Sequence, residues 1–241
     1  MGIEWNVQCF DVLDSTQSYI KSCPLVEGLV VRALQQTNGV GRHGRKWEEG
    51  VGNLYFSFAI QPKCNLRHVG HLSIITSVAL YETLSSYVGG ADLRLKWPND
   101  IFLSGKKCSG ILIDIVNSDS NQVLDAVIGI GVNIESAPLD IAHCLKMFCE
   151  NVPDSGDIQD AFLKSFSYIY DDWQKNDIVD IHARYCQYHF SGADVISVKV
   201  GSDIVSGTFD SIDLYGNLRL IDGDDGAIKT ITSGEILLNQ E

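Results

Sequence analysis

The segment Lys96–Asp114, KWPNDIFLSGKKCSGILID, marks where β-strands end and begin in this chain. Pro98 stops the first strand because proline cannot donate to a sheet ladder. The pair Asn99-Asp100 then falls at a turn, and the pair Lys106-Lys107 lies at a hairpin tip or at the start of the next strand, 110–116. Turn chemistry alone would explain Asn99-Asp100, and solvent exposure would explain the two lysines. The segment predicts strands and leaves their chemistry open.

Strand patterns continue on both sides of this segment. Apolar runs and period-two alternation indicate strands at 28–35, 53–60 and 126–134. In the second strand, Asn53, Tyr55 and Ser57 share the face opposite the apolar one. In the third strand, Gly129 and Gly131 predict the close approach of another backbone or of a ligand.

Helical patterns alternate with these strands. Apolar residues at three- and four-residue steps predict helices at 71–88 and at 157–174, the second with Asp157 as its N-cap. Another helix begins at Asp14 or Ser15, either of which can cap it. Strands and helices are therefore mixed along the chain.

The segment Gly39–Trp47, GVGRHGRKW, concentrates positive charge on a glycine-rich loop. Glycines let the backbone approach an anion closely, and Arg42 and Arg45 offer forked donors to a phosphate or carboxylate. Trp47 adds a flat face for a base or ring. The loop matches neither a Walker A sequence nor a dinucleotide fingerprint. Two interpretations stay open here, a binding loop for a small anion and a solvated surface loop.

The pattern changes near residue 191. From there on, short alternating segments separated by turn clusters predict a small all-β unit of about five strands. The cluster DGDDG, 222–226, lacks the spacing of a calcium loop and is interpreted as a turn. We therefore expect two domains, 1–190 and 191–241.

Composition excludes several classes of function. The 241 residues carry a formal net charge of −13, which disfavours broad nucleic-acid binding. Seven cysteines without a C-x-x-C pair favour free thiols in a reducing cytoplasm over disulfides or a zinc site. No signal peptide and no membrane-spanning apolar stretch are evident.

The order and wording of the motifs together resemble one family, the biotin protein ligases. The matching blocks are QTNGVGRHGRKW (36–47), KWPND (96–100), KCSGIL (107–112) and GIGVN (129–133), followed by the small β unit. The resemblance extends from about Asp14 to Glu235. The KWPND block with its KxxGIL continuation is the most specific part.

The resemblance implies an α+β fold, with a mixed sheet and flanking helices like those of class II aminoacyl-tRNA synthetases, plus a small C-terminal Src-homology-3-like β-barrel. It implies that biotin and MgATP give biotinyl-5′-AMP, and that a lysine of a biotin carboxyl carrier domain of a carboxylase then takes the biotin. The ligases that this sequence resembles are of the monofunctional type, which has no N-terminal DNA-binding domain. No DNA binding is therefore expected. A homodimer and the metal ligand are left open.

The resemblance also implies roles for individual residues. The expected catalytic residues are Lys107, Arg42 and Asp100, with Lys107 as the main electrostatic catalyst and Asp100 on the magnesium side or orienting the lysine. The expected biotin contacts are Ser15, Thr16, Gln17, Gln36, Gly39, Lys107, Gly110 and Gly129. The expected ATP or adenylate contacts are Val40, Gly41, Arg42, Arg45, Trp47 and Asn133. Lys96 and Trp97 are interpreted as structural.

The sequence departs from the family pattern at two positions. Val40 stands where the family loop usually has its first arginine, and Gln17 where the family often has asparagine. Three alternatives therefore stay open: a lipoate or octanoate ligase of the same superfamily, a non-catalytic biotin- or nucleotide-binding sensor, and an interaction protein. A lipoate site would need an apolar slot without the polar side chains of Ser15, Thr16 and Gln36.

Overall fold

A computed structural model describes residues 2–138, 141–176, 178–189 and 195–237. It contains two sheets and four α-helices in those ranges. The predicted domain boundary at 190/191 lies outside the described residues. The predicted five C-terminal strands are all present, and the mixed α+β class is confirmed.

The first sheet has eight strands and a mixed topology. Its strands are β1 (Asn6–Leu13), β2 (Leu29–Gln36), β3 (Leu54–Ile60), β4 (Cys64–Asn65), β5 (Leu93–Lys96), β6 (Asp100–Leu103), β7 (Lys106–Asp119) and β8 (Gln122–Val132). Their order is β1-β2-β3-β8-β7-β6-β5, and β4 pairs with β8. Only β1 and β2 are parallel, because α1 (Thr16–Ser22) lies between them in the chain and makes the crossover.

Three helices cover one face of this sheet. They are α2 (Val69–Ser85), α3 (Ser155–Lys175) and α4 (Val179–Tyr188). An aromatic cluster joins them to β3, where the ring centroids of Phe58 and Phe166 lie 4.9 Å apart and those of Phe56 and Phe162 lie 5.6 Å apart. Helix α2 is buried nearly all round because α3 and α4 pack against it on the side away from the sheet.

Two details of the helices differ from prediction. Asp154, not Asp157, caps α3, and its carboxylate accepts from the backbone N–H of Gly156 at 2.6 Å. The apolar stripe locates the helix well, but capping depends on which residue takes extended φ/ψ, and Asp157 is already inside the first turn. Helix α4 and strand β1 were not predicted, since β1 is almost wholly exposed and has no clear apolar alternation.

Helix α1 covers the opposite face of the sheet. Ile20 packs there with Leu29, Val31, Ala59 and Val127. Strand β3 is consequently buried on both faces, including the side predicted to be polar. Ser57, on the α1 face, is fully buried, and this is the face on which the cavity described below opens.

The second sheet is antiparallel and five-stranded. Its strands are β9 (Val195–Val200), β10 (Asp203–Ile212), β11 (Leu218–Ile221), β12 (Ile228–Ile231) and β13 (Glu235–Leu237), in the order β12-β11-β10-β9-β13. It packs against the first unit near the KWPND block, where the indole N–H of Trp97 donates to the carbonyl of Gly216 at 2.9 Å. This contact brings β13 to the rim of the cavity.

Smaller expectations can be compared with the described residues. All seven cysteines are free thiols, and DGDDG forms a turn. Within the described ranges, no three histidine, cysteine or acidic residues are grouped as metal ligands. None of the helices described has both the length and the apolar character needed to cross a bilayer.

Candidate active site

A cavity of about 910 Å³ opens on the α1 face of the first sheet. Its walls come from the start of α1, the basic loop 39–47, the β5–β6–β7 hairpins, the middle of β8 and residues 235–237. Of the predicted site residues, the structure places all but Gly39 and Asn133 on its lining. Residues far apart in the sequence therefore converge as predicted.

At one end of the cavity, neutral side chains are held on regular elements. Ser15 caps α1, and its hydroxyl accepts from the N–H of Ser18 at 3.3 Å. Thr16 donates to Oε1 of Gln36 twice, from its backbone N–H at 2.7 Å and from its hydroxyl at 3.1 Å. Because that hydroxyl proton is engaged, the Oγ of Ser57, 2.9 Å away, is the donor to Thr16.

This hydrogen-bond chain fixes the amide of Gln36. Its oxygen already accepts two bonds, so its Nε2 donors face the other way, toward Gly39 and the cavity. Thr16, Gln36 and Ser57 are all buried. A buried and fixed donor of this kind suits a ligand oxygen.

In Gln17 the amide nitrogen is the hydrogen-bonded atom and the oxygen is left without a partner within the described ranges, the reverse of Gln36. Its Nε2 donates to Asp114 Oδ2 at 3.2 Å and to the carbonyl of Val127 at 3.3 Å. Its Oε1 is buried beside Gly129 and has no hydrogen-bond partner in the described part of the chain. A Cβ at Gly129 would lie 2.5 Å from that oxygen, so a side chain there would displace the amide of Gln17. We call Ser15, Thr16, Gln17, Gln36 and Ser57 the neutral end.

The basic loop folds as a small hairpin at the other end of the cavity. Val40 bridges Lys46, and the N–H of Gly41 donates to the carbonyl of Arg45 at 2.7 Å. His43 has φ of +56°, in the left-handed region that non-glycine residues adopt rarely. The turn projects Arg42 and Arg45 in different directions.

Arg42 points inward and Arg45 points toward the second sheet. The guanidinium of Arg42 donates to Oδ1 of Asn99 at 3.0 Å, and partial burial lowers its pKa from the ordinary value, although Asp100 opposes the shift. Arg45 makes a two-pronged ion pair with Glu235, at 2.7 and 2.6 Å. That hydrogen-bonded pair lowers the pKa of Glu235. Arg45 was predicted to contact the nucleotide, whereas here its partner is a carboxylate from β13.

Lys107 and Asp100 lie side by side on the paired strands β6 and β7. Lys107 Nζ is 2.6 Å from Asp100 Oδ1, an ion pair by distance, yet that oxygen accepts no well-directed hydrogen bond. The same ammonium lies 5.3 Å from the ring centre of Trp47. The indole of Trp47 rests on Gly110 and Gly131, and its buried Nε1 has no partner among the described residues.

Lys96 was interpreted as structural, but it also lines the cavity. It is only 8% exposed, and its Nζ lies 4.7 Å from the ring centre of Phe102. Burial lowers its pKa, while Asp100 and Glu235 act in the opposite direction. We call Arg42, Arg45, Lys96 and Lys107, with Asp100 and Glu235, the cationic end.

Two predicted contacts lie off the lining. Asn133 is buried, and its amide donates to the carbonyl of His143 at 3.3 Å. Gly39 lies between Gln36 and Trp47. Gly39 therefore contacts two residues that line the cavity, and Asn133 holds the backbone at His143.

Sequence reasoning missed several lining residues, among them Ser57, Lys96 and Glu235. Ser57 carried no clear signal, because the alternation of β3 put it on the face predicted to be polar. Lys96 carried a weak one, a lysine in the KWPND block. Glu235 carried none, because its partner Arg45 lies 190 residues earlier in the chain.

The comparisons with known proteins agree with this geometry. Residues 9–133 match the model of the biotin/lipoate A/B protein ligase family. The chain belongs to the biotin/lipoate A/B protein ligase family. The matched part of this family member contains the neutral end and most of the cationic end.

Relatives and solved structures cover the rest of the chain. The bifunctional ligase/repressor BirA of Bacillus subtilis is 30% identical over 230 residues, 90% of this chain and 67% of that protein. The biotin–[acetyl-CoA-carboxylase] ligase of Paracoccus denitrificans is 38% identical over 129 residues, 52% of this chain and 53% of that one. The biotin protein ligase from Aquifex aeolicus in complex with biotin and ATP has a TM-score of 0.83 and 25% identity, covering 98% of this family member and 99% of that chain.

Proposed function

We propose that this chain is a biotin protein ligase that forms biotinyl-5′-AMP from biotin and ATP and then transfers biotin to a lysine of an acceptor domain. One observation carries the proposal. A single cavity joins a neutral end, with a fixed amide donor and a fixed amide acceptor, to a cationic end. Similarity to ligases from B. subtilis, P. denitrificans and A. aeolicus supports it.

The neutral end complements a cyclic urea. Such a ring offers a carbonyl oxygen and ring N–H groups, and the cavity offers Gln36 Nε2 as a donor and Gln17 Oε1 as an acceptor. A buried polar site rejects analogues that lack a matching group, because its own polar atoms would stay unpaired. A lipoate ligase, which needs an apolar slot, would have no use for the polar side chains of Ser15, Thr16 and Gln36 that line this end.

The cationic end supports adenylation. A biotin carboxylate oxygen bonds to the α-phosphorus, the bond from that phosphorus to the bridging oxygen breaks, and pyrophosphate leaves. Two anions must meet for this to happen, so fixed cations have to hold them together and stabilise the moving charge. We assign this role to Lys107 together with Arg42, both of which line the cavity. Trp47 offers the face of its indole to the nucleotide.

Asp100 fits a role beside the magnesium ion of MgATP. Magnesium in nucleotide sites usually takes one or two carboxylates and completes its shell with phosphates and water. Asp100 lines the cavity, and its Oδ1 lies 2.6 Å from Lys107 Nζ, so a magnesium ion there would share the carboxylate with that ammonium. The ion would screen the phosphate charge, and Lys107 would hold Asp100 in place.

In the second step, the acceptor lysine attacks the acyl carbon, the bond to the phosphate oxygen breaks, and AMP leaves. The amine gives up a proton in the process. We propose the biotin carboxyl carrier domain of a carboxylase as acceptor, following the P. denitrificans relative. The free thiols fit a reducing cytoplasm. Adenine contact by Asn133 and the lack of DNA binding stay predictions, and homodimer formation stays open.

A competition assay tests the proposal. The purified chain is mixed with MgATP and equal concentrations of biotin, lipoate and octanoate, without acceptor, and the acyl-adenylate is identified by mass spectrometry. Biotinyl-AMP alone is expected. Lipoyl- or octanoyl-AMP would move the chain to the other branch of its family, and biotin binding without any adenylate would make it a sensor.

A further inference from the structure

Asp114 touches the neutral end from outside the cavity. It lies on β7, and its Oδ2 accepts from Gln17 Nε2 at 3.2 Å and from Lys21 Nζ at 2.5 Å. Asp114 is not part of the cavity lining, so it cannot contact a ligand there. Any effect that it has on substrate must act through Gln17.

The amide of Gln17 could in principle face either way. Its nitrogen is held by two acceptors, Asp114 Oδ2 and the carbonyl of Val127, and neither can donate. Turning the amide over would set its oxygen against both of them and leave its N–H₂ beside Gly129. The Asp114 bond is charge-assisted and hence the stronger restraint of the two. Lys21 holds the carboxylate in place from the other side.

We propose that Asp114 is a positioning residue that keeps Gln17 Oε1 turned toward Gly129 on the cavity wall and so makes the pocket select a ring N–H donor. The inference rests on the proposed function and identifies a ring N–H as the group of the substrate that is recognised at Gln17. Gln17 is longer than the asparagine frequent at this position in the resemblance noted above. A longer amide has more rotatable bonds, so an external restraint matters more.

The test compares biotin with its two cyclic-carbamate analogues, in each of which one ring N–H is replaced by oxygen. The shape is kept, but an acceptor takes the place of a donor. Dissociation constants are measured by calorimetry, and kcat and KM are measured for adenylate formation. The variants are Asp114→Ala and Asp114→Asn. Asp125→Ala is the matched control, because Asp125 also accepts from a glutamine amide, that of Gln61, outside the cavity.

Wild type should bind biotin at least about tenfold more tightly than one of the carbamates, since acceptor would face acceptor. In Asp114→Ala this preference should shrink about tenfold, with KM for biotin raised and kcat nearly unchanged. Asp114→Asn keeps an acceptor oxygen and should restore the preference to within about twofold. Asp125→Ala should behave as wild type.

The inference is overturned if Asp114→Ala keeps the wild-type preference, or if Asp125→Ala loses as much of it. If Asp114→Ala does not fold, Gln17→Met replaces it, because this change removes the amide itself. Gln17→Met should reduce the preference for biotin over the carbamate by the same factor. An unchanged preference in Gln17→Met would refute the inference. If wild type neither binds nor adenylates biotin, the proposed function fails first, and the inference fails with it.

Discussion

The two ends of the cavity are built differently. The neutral end lies on the start of α1 and on strands β2 and β3. Its side chains are buried, and those of Thr16, Gln36 and Ser57 are hydrogen-bonded to one another. The cationic end lies largely on a loop and at strand ends, and its groups are linked by ion pairs such as Lys107–Asp100 and Arg45–Glu235. Hydrogen bonds between neutral groups are short-ranged and directional, so they need a rigid frame. Charges act over longer distances, and a loop can carry them.

Removing Lys107 should break the cationic end most severely. In K107A, the rate of biotinyl-AMP formation should fall about 10²–10³-fold, because the charge moving onto phosphate loses its nearest fixed cation. Single-turnover kinetics measure the rate, and circular dichroism checks the fold. K106A, a change at the neighbouring lysine, is the control and should stay within a few-fold of wild type. A K107A rate close to wild type would remove Lys107 from the mechanism.

Replacing Thr16 tests the rigidity of the neutral end. In T16V, the hydroxyl of Ser57 loses its acceptor and Gln36 Oε1 loses one donor. KM for biotin should rise about tenfold with little change in kcat, and the free energy of unfolding should fall by about 1–3 kcal/mol.

The control for T16V is T83V in helix α2, where the lost hydrogen bond is to the carbonyl of Ala79 in the same helix. T83V should leave KM for biotin unchanged. Equal effects of the two variants on KM would show that the neutral end has no special part in binding biotin.

Replacing Lys96 should have opposite effects on the stability of the protein and on its binding of ATP. Its burial lowers its pKa, so the charged form is disfavoured in the folded protein. K96M should raise the free energy of unfolding by about 1 kcal/mol, or about 2–4 °C in Tm, while raising KM for ATP several-fold.

The stability gain in K96M should depend on pH. The penalty on wild type is present below the lowered folded-state pKa of Lys96 and is gone above the unfolded value of about 10.4. The Tm difference should therefore be largest near neutral pH and shrink as the pH rises. A Tm difference that is constant across this range would mean that Lys96 is not desolvated.

The ion pair Arg45–Glu235 should give the smallest effect. Its side chains are 65% and 39% exposed, so solvent screens the pair and E235Q should lower the free energy of unfolding by less than about 1 kcal/mol. Because the pair lowers the pKa of Glu235, its contribution is present above about 4.3 and is lost as the pH falls through the lowered value.

Thermal unfolding of E235Q and wild type at pH 7 and pH 3, with and without 0.5 M salt, measures this. The difference should be smaller at pH 3 than at pH 7 and should decrease with salt. A difference that persists under both conditions would come from packing rather than from charge.

Local signals in the sequence predicted much of the fold. Period-two alternation located β3 and β8, and three- and four-residue spacing located α2 and α3. The same signals failed where they were weak. Strand β1 is an exposed edge with no apolar face, and helix α4 has a short stripe of only two buried residues. Asp154 was missed as the α3 cap because capping depends on backbone dihedrals, which residue type favours but does not dictate.

The sequence by itself determined the local elements that carry the chemical groups: the helix start at Ser15, the basic loop, and the lysine that follows the KWPND hairpin. Motif wording and periodicity suffice for that, because they depend on neighbours a few residues apart. Only the tertiary structure decided how those groups are oriented. The direction of the Gln17 amide, the role of Ser57 as a donor and the pairing of Arg45 with Glu235 all join residues from distant parts of the chain. Hydrogen bonds are directional, and their partners are known only once the strands and helices have packed.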